Sequence, residues 1–155
     1  MKDKRTELKV SAIRSGTVID HIPSNTVFQV FKILGLQNST NQVYFGTNLD
    51  SQKYGKKGII KISSKFFEEK EISKISIVAP SATIIEIKDY EVTKKENVQL
   101  PKHITNIVKC FNPKCVTNHQ EVSTAFNVIE DHNGKMKLLC KYCEKTMGQE
   151  NIEFI

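Results

Sequence analysis

Apolar and polar residues alternate in several short segments of the chain, and this period of two predicts β-strands. Leu8, Val10 and Ala12 alternate with polar neighbours, so residues 8–13 form the first expected strand. After a turn at Ser15-Gly16, the segment 17–22 is a second strand or an extension of the first. Further strands are predicted over residues 42–49, 59–62 and 83–92, with a polar turn over residues 50–58.

Helical spacing of apolar residues marks another segment, in which they recur at i, i+3, i+4 and i+7 between Val27 and Leu34. Ser24 or Asn25 can accept backbone N–H bonds as the N-cap, and Gly35 supplies the left-handed residue that ends a helix. The sequence therefore predicts a helix between these signals.

A second helix is predicted over residues 68–78, where an acidic first turn complements the helix dipole. The resulting order β-α-β-β-α-β indicates an α+β domain of the ferredoxin-like class, an antiparallel sheet with both helices on one face. The other face of the sheet is then open and available to bind a ligand.

The charge is uneven along the chain. The formal net charge is +6, and most of the basic excess lies in the first hundred residues. Lys61 interrupts an apolar strand, so its side chain either points to solvent from the open sheet face or holds an anion there. A basic excess of this size is consistent with binding of a phosphate ester. It is also consistent with an ordinary solvated, lysine-rich surface. No apolar run approaches the length of a membrane span.

The only cysteines of the chain fall in two pairs, Cys110 with Cys115 and Cys140 with Cys143. Four residues separate the first pair, two separate the second, and twenty-four lie between the pairs. Two turns that each present two thiolates complete a tetrahedral sulfur cage of the kind that binds Zn²⁺. Four protein ligands leave no position for water or substrate, so we expect one structural Zn²⁺ per chain.

The position of the cysteines also divides the chain. We expect a first domain over residues 1–100 and a small zinc-braced β-domain over residues 101–155, because so short a segment usually needs a metal to fold. Strands are predicted there over residues 122–129 and 136–138, joined by a hairpin turn at 131–134. The final dipeptide, Phe154-Ile155, is either core or an exposed contact.

Two other uses of the cysteines are less consistent with the sequence. Disulfides in a secreted domain are disfavoured because no signal peptide is visible and the lysine-rich composition suits the cytoplasm. A redox role for Cys140-Lys141-Tyr142-Cys143 would leave the first pair without a purpose. His103, His119 and His132 are expected in loops and are not needed as ligands.

Several motifs stand in order and at matching intervals along the chain. They are Gly16-Thr17-Val18-Ile19-Asp20-His21-Ile22-Pro23, Asp89-Tyr90-Glu91-Val92, Leu100-Pro101 and Cys140-Lys141-Tyr142-Cys143-Glu144. Together they resemble the regulatory chain of aspartate carbamoyltransferase over essentially the whole length. The resemblance implies a chain without catalytic residues that binds CTP, ATP and UTP on its first domain. It also implies docking of the zinc domain on the catalytic chain, and a regulatory-chain dimer within a dodecamer of six catalytic and six regulatory chains.

The resemblance also implies roles for particular residues. Asp20 would accept from ribose hydroxyls, His21 and Lys95 would meet phosphates with Lys57 as a further contact, and Lys61 would reach the base or ribose. The expected pocket wall consists of Val10, Ala12, Ile13, Val18, Ile59, Ile87, Tyr90 and Val92. Ser11 and Ile85 stand near the base and ribose where other members have acidic and amide side chains, which leaves the nucleotide preference open. The expected partner interface consists of Phe111, Asn112, Lys114 and Glu144.

Each of these residues also has a simpler interpretation. Asp20 could cap the turn at Pro23, His21 could be a surface histidine, and Tyr90 could belong to the sheet core. A nucleic-acid module is disfavoured because the open face lacks a pair of stacking aromatics and Trp is absent. A nucleotide hydrolase is disfavoured because no G-x-x-x-x-G-K-[ST] loop and no nucleophile with its base is present.

Overall fold

The computed structural model describes residues 12–155, which form two compact units. The first unit ends at Gln99 and the second spans Leu100–Ile155. The elements of the first unit are β1 (Gly16–Ile22), α1 (Val27–Ile33), β2 (Val43–Ser51), β3 (Gly55–Ser63), α2 (Glu69–Val78), β4 (Thr83–Lys88) and β5 (Glu91–Asn97). The protein is therefore of the α+β class, with antiparallel sheets and few helices.

The five strands of the first unit form one antiparallel sheet in the order β2-β3-β1-β4-β5. Its core row consists of the cross-strand partners Ile60, Ile19 and Ile84, none more than 2% exposed. Helix α1 contacts both β3 and α2. Gly58 allows this approach, because a Cβ there would lie 1.9 Å from Cγ2 of Val27.

The helix signals in the sequence are confirmed in part. Gly35 has the left-handed φ of 65° that ends α1, and Glu68 forms a capping box with Glu71 at the start of α2. The expected N-cap of α1 is wrong, because Ser24 and Asn25 belong to a short 3₁₀ turn that precedes the helix.

The predicted turn over residues 50–58 is confirmed only at residues 52–54, because β2 and β3 continue through the rest of it. Asp50 pairs with Lys56 across the hairpin, and the Lys56 Nζ to Asp50 Oδ1 distance is 2.6 Å. Opposite charges on paired strands stabilise an exposed ribbon without apolar residues, so the pattern of hydrophobic positions does not reveal it. Gly55 has a φ of 75° as β3 begins.

The predicted strand over residues 83–92 is confirmed over Thr83–Lys88, and its predicted end is wrong. It ends at Lys88, turns at Asp89 and Tyr90 with φ of 50° and 66°, and returns as β5. Every residue of β5 is exposed, so no apolar alternation marks it. In the described part of the predicted first strand, Ala12 and Ile13 are not in a strand.

The second unit contains six strands, β6 (His103–Thr105), β7 (Val108–Lys109), β8 (Ala125–Glu130), β9 (Met136–Cys140), β10 (Thr146–Met147) and β11 (Glu153–Phe154). They form a four-stranded sheet in the order β10-β9-β8-β6 and a two-stranded sheet of β11 with β7. Ile104, Phe126 and Leu138 are at most 1% exposed and form its core. The turn at 131–134 is confirmed, with Gly134 at a φ of 76°.

Two details of this unit differ from the sequence prediction, and a third decides between the alternatives for the last two residues. Strand β8 begins at Ala125 rather than at residue 122. His103 lies in β6 rather than in a loop. Phe154 is paired in β11, whereas Ile155 is 62% exposed although its N–H donates to Ile107 O at 3.0 Å.

Among residues 12–155, no helix combines the length and hydropathy that crossing a membrane requires.

Candidate metal centre and ligand-binding face

The four cysteine sulfurs converge at one point of the second unit. All lie within 4.8 Å of one another, and the Sγ to Sγ distance is 3.7 Å both for Cys110 with Cys143 and for Cys115 with Cys140. A tetrahedron with metal–sulfur bonds of about 2.3 Å has edges of roughly 3.8 Å, so the cage fits a tetrahedral thiolate-bound metal. The cysteines are free thiols, which does not support the disulfide alternative, and both pairs serve one site.

Burial and hydrogen bonding act differently on the four thiols. Burial raises the pKa of Cys110 well above its usual range, and it also raises the pKa of Cys140. Burial opposes ionisation of Cys143 too, but hydrogen bonds from the Asn112 side chain and the Lys145 backbone outweigh it and lower the pKa to about 7. Metal binding requires all four residues as thiolates, so a bound cation would displace their protons.

The first metal-bearing turn is held by hydrogen bonds to its own backbone. Asn118 Nδ2 donates to Cys110 O at 3.0 Å and to Asn112 O at 2.8 Å, and Cys115 N–H donates to Asn112 O at 3.0 Å. Thr117 Oγ1 donates to Cys115 Sγ at 3.2 Å. This outer layer of donors orients the sulfurs and favours the thiolate.

The residues expected at a partner interface lie on these two turns. Phe111 is 45% exposed, Lys114 and Glu144 are exposed, and Asn112 is half-buried. Glu144 has a left-handed φ of 60° and its N–H donates to Cys140 O at 3.0 Å. Their role at an interface stays a prediction, and Asn112 has a structural task at the metal site that sequence reasoning missed.

The open face of the first sheet carries a transverse row of residues that alternates with the core row. Cross-strand pairing links its members from β2 to β5, namely Tyr44, Lys61, Val18, Ile85 and Lys95. The sheet thus brings together four residues that the resemblance implied for a nucleotide site. Burial lowers the pKa of Lys61, and the nearby Asp20 carboxylate opposes that shift.

A half-buried ion pair lies one row further along the same face. Asp20 Oδ1 accepts from the His21 N–H at 2.7 Å and from Lys57 Nζ at 2.8 Å, and the two side chains of the pair are 17% and 20% exposed. Burial raises the pKa of Asp20, but the bonds from Lys57 and His21 outweigh it, so the pKa lies below its ordinary value of 3.8. Two donors, the Lys57 ammonium and the His21 N–H, therefore hold this carboxylate.

The imidazole of His21 is oriented by a chain of hydrogen bonds. Its Nδ1 lies 3.0 Å from Thr83 Oγ1, and that hydroxyl donates to Asn97 Oδ1 at 3.0 Å. Since the single hydroxyl proton of Thr83 is used toward Asn97, Nδ1 must be the donor. The Tyr54 ring meets the imidazole edge-on, with a distance of 5.7 Å between the ring centroids. The backbone of His21 has a left-handed φ of 56°.

The other end of the open face holds a pocket of about 330 Å³. Its lining includes Ala12, Ile13, Tyr44, Ser63, Ser64 and Tyr90. Tyr90 is held at the hairpin tip by its N–H, which donates to Arg14 O at 2.8 Å. The Arg14 guanidinium also contacts Asp89 Oδ1 at 3.2 Å, so the tip is fixed to the strand entrance.

The remaining expected ligand residues take the following places. Ile87 and Val92 pair with each other beside Gly16, and Ile59 alternates with the buried Ile60. Val10 and Ser11 lie outside the described residues. Sequence reasoning missed Thr83, Asn97 and Tyr44, although the alternation of Tyr44 with Phe45 was an available signal. Because Tyr44 and Tyr90 line one pocket, the expectation that this face lacks a pair of aromatic residues is wrong.

Comparison with known proteins gives consistent matches over the whole chain. Residues 8–99 match the family described as aspartate carbamoyltransferase regulatory chain, allosteric domain, and residues 102–153 match the metal binding domain of the same chain. The chain is 48% identical to the aspartate carbamoyltransferase regulatory chain of Bacteroides fragilis over 155 residues, which is 100% of both chains. It is 46% identical to that of Phocaeicola vulgatus over 100% of this chain and 99% of the relative. It is 47% identical to that of Pyrococcus horikoshii over 94% of this chain and 96% of the relative. The chain therefore belongs to the family of aspartate carbamoyltransferase regulatory chains, with an allosteric domain and a metal-binding domain and a regulatory rather than catalytic role.

Proposed function

We propose that this chain binds CTP, ATP and UTP on the open face of its first sheet. The observation that carries the proposal is the alignment of Lys61 and Lys95 in one row, next to the Asp20, His21 and Lys57 cluster. Four cationic or donor side chains on one sheet face suit a polyphosphate, and the carboxylate suits ribose hydroxyls.

The layout of the face matches the order of groups in a nucleotide. The pocket near Ala12, Ile13 and Tyr90 would hold the base, and the cluster around His21 would hold the phosphates. Along β1, Gly16 lies at the base end of the proposed site and Asp20 lies toward its phosphate end. The four-residue step between them spans about 13 Å of strand. An extended nucleotide would therefore lie along β1, with the sugar over Val18 and Ile85 within reach of the Asp20 carboxylate, and with the phosphates directed toward His21 and Lys95.

The strand order supports a ferredoxin-like architecture for this unit. The order β2-β3-β1-β4, with a helix in each crossover, is that of the split βαβ arrangement. Strand β5 is then an addition at the edge, and it supplies Lys95 to the ligand face.

Zn²⁺ is the metal that we propose for the second unit. Four thiolates in a closed tetrahedral cage select a soft, d¹⁰ cation and leave no open coordination position. When bound, the ion would supply folding free energy and rigid turns, and no chemistry on a substrate.

The metal-braced turns would dock on the aspartate carbamoyltransferase catalytic chain. Phe111 and Tyr142 are 45% and 47% exposed there, and aromatic residues on rigid turns are typical interface anchors. Lys114 and Glu144 would surround them with charge.

A second exposed aromatic cluster supports pairing of two regulatory chains through the first unit. Phe28 is 62% and Phe45 46% exposed, and their rings meet edge-on at 5.6 Å beside Phe31. Strand β2, which carries Phe45, is an edge of the sheet. Such pairs would contribute to a cytoplasmic dodecamer of six catalytic and six regulatory chains, and reduced thiols suit that compartment.

Calorimetric titration of the full-length zinc-loaded chain with CTP, ATP and UTP tests the binding step. We expect each nucleotide to bind saturably. We expect no binding of a short single-stranded oligonucleotide whose total charge is similar to that of one nucleotide. Binding of the oligonucleotide alone, with a steep dependence on salt, would favour a nucleic-acid module instead.

A further inference from the structure

We infer that Tyr44 is a second aromatic wall of the base pocket and contacts the base of the bound nucleotide together with Tyr90. This inference rests on the nucleotide site proposed above, which does not include Tyr44. The inference requires that the part of the effector bound in the pocket beside Tyr90 is the planar aromatic base.

The position of Tyr44 in the sheet supports the inference. It is half-buried, it pairs with Lys61 on the open face, and it lines the same pocket of about 330 Å³ as Tyr90. Strands β2 and β4 are separated by β3 and β1, so their backbones lie about 14 Å apart. The two tyrosines thus approach the pocket from opposite sides, and the pocket volume is at the lower end of that of small-molecule sites.

A two-residue hairpin turn presents Tyr90 at this pocket. Such a turn requires left-handed backbone at both positions, and Asp89 and Tyr90 adopt it between the paired Lys88 and Glu91. The contacts of Arg14 and the Asp89 N–H bond to Ser15 Oγ at 3.2 Å hold this turn in place. The position of Tyr90 beside the pocket is therefore supported by the residues that precede β1.

Polar groups in the pocket can meet the edge of a ring while Tyr44 meets its face. Gln42, Ser63 and Ser64 line the pocket beside the tyrosines and supply donors and acceptors. The Tyr44 hydroxyl lies 3.4 Å from Gln42 Oε1, a long contact that a ligand can replace. Every base has a π-face, so Tyr44 should strengthen the binding of purine and pyrimidine nucleotides alike. Discrimination between the bases would then depend on the polar groups of the pocket.

The test compares Tyr44→Ala, Tyr44→Leu and Tyr44→Phe in the full-length zinc-loaded chain, by calorimetry with CTP, ATP and inorganic tripolyphosphate. We expect Tyr44→Ala to lose about five- to a hundred-fold in affinity for both nucleotides and nothing for tripolyphosphate. Tyr44→Leu keeps the bulk without the π-face and should show most of the same loss, whereas Tyr44→Phe should bind as the unchanged chain does. Circular dichroism of each variant shows whether the fold is retained.

The outcomes separate this inference from the proposed function. If the unchanged chain binds neither nucleotide, the nucleotide site itself is wrong and the inference falls with it. If the unchanged chain binds both, and folded Tyr44→Leu and Tyr44→Ala bind them with unchanged affinity, only the role of Tyr44 is overturned. An equal loss for tripolyphosphate also overturns it, because Tyr44 would then act on the phosphate end.

Discussion

Replacing Lys57 by methionine tests the half-buried ion pair that organises the ligand face. The Asp20 carboxylate would keep the His21 N–H but lose the Lys57 ammonium at 2.8 Å. A hydrogen bond to a charged group contributes about 1.5–3 kcal/mol, and the two side chains are only 17% and 20% exposed. We therefore expect Lys57→Met to lower the free energy of unfolding by about 2 kcal/mol at neutral pH.

The neighbouring pair offers a matched control. Lys56 is also a β3 lysine and contacts Asp50 Oδ1 at 2.6 Å, but these side chains are 59% and 77% exposed. Exposed pairs contribute about 0–1 kcal/mol, so Lys56→Met should have little effect. Urea unfolding followed by circular dichroism measures both variants, and the Asp20→Asn single and double variants complete a mutant cycle.

The pH dependence of this difference has a defined sign. The folded-state pKa of Asp20 lies below its ordinary value of 3.8, so the pair contributes stability above that value and loses it as the pH falls through the folded-state pKa. The gap between the unchanged chain and Lys57→Met should be full at pH 6–7 and shrink below about pH 4. A gap that is independent of pH, or equal to that of Lys56→Met, would refute the reasoning.

Three further predictions follow from the metal centre, the phosphate end and the partner surface. Cys140→Ser should abolish stoichiometric zinc, measured by metal analysis, and unfold the second unit, because it leaves three thiolates, two of them buried, without a closed cage. Lys95→Ala should lower the affinity for CTP about ten- to a hundred-fold in calorimetry and leave the affinity for cytidine nearly unchanged, because the Lys95 ammonium would contact the phosphates. Glu144→Ala should change the aspartate response of the assembled enzyme without changing the nucleotide affinity of the isolated chain.

Each of these has a clear contrary result. A Cys140→Ser chain that keeps one zinc ion and full association with the catalytic chain would contradict the closed cage. Equal losses for CTP and cytidine would remove Lys95 from the phosphates. For Glu144, weakened nucleotide binding with normal regulation would place it outside the partner surface. Asn112→Ala is a less clean test, since Asn112 supports Cys143.

The sequence alone assigned only Lys61 to the open face, because a lysine that interrupts an apolar strand is expected to point away from the core. Val18 and Ile85 each stand next to another apolar residue, so alternation does not choose their face, and their expected roles came from the resemblance. The cysteine spacing likewise predicts the cage, because thiolate pairs on turns have few other uses in a short domain.

The parts that the sequence did not predict depend on pairing and on backbone strain. Strand β5 is exposed throughout and begins after Asp89 and Tyr90, a pair that typical left-handed turns do not use. Alternation with Phe45 could have indicated the face on which Tyr44 lies, but only the register with Lys61 brings Tyr44 to the pocket. Cross-strand register is a tertiary property, so local patterns could not reveal this site.

The most direct test of the central claim is the aspartate saturation curve of the catalytic chain assembled with this regulatory chain, with and without saturating CTP or ATP. An effector that binds one assembly state better than another shifts the half-saturating aspartate concentration, and couplings of about 1–3 kcal/mol are typical. We predict such a shift with the unchanged chain, and we predict that Lys95→Ala requires a higher nucleotide concentration to produce it. Nucleotide that binds the assembled regulatory chain and leaves the aspartate curve unmoved would contradict the account.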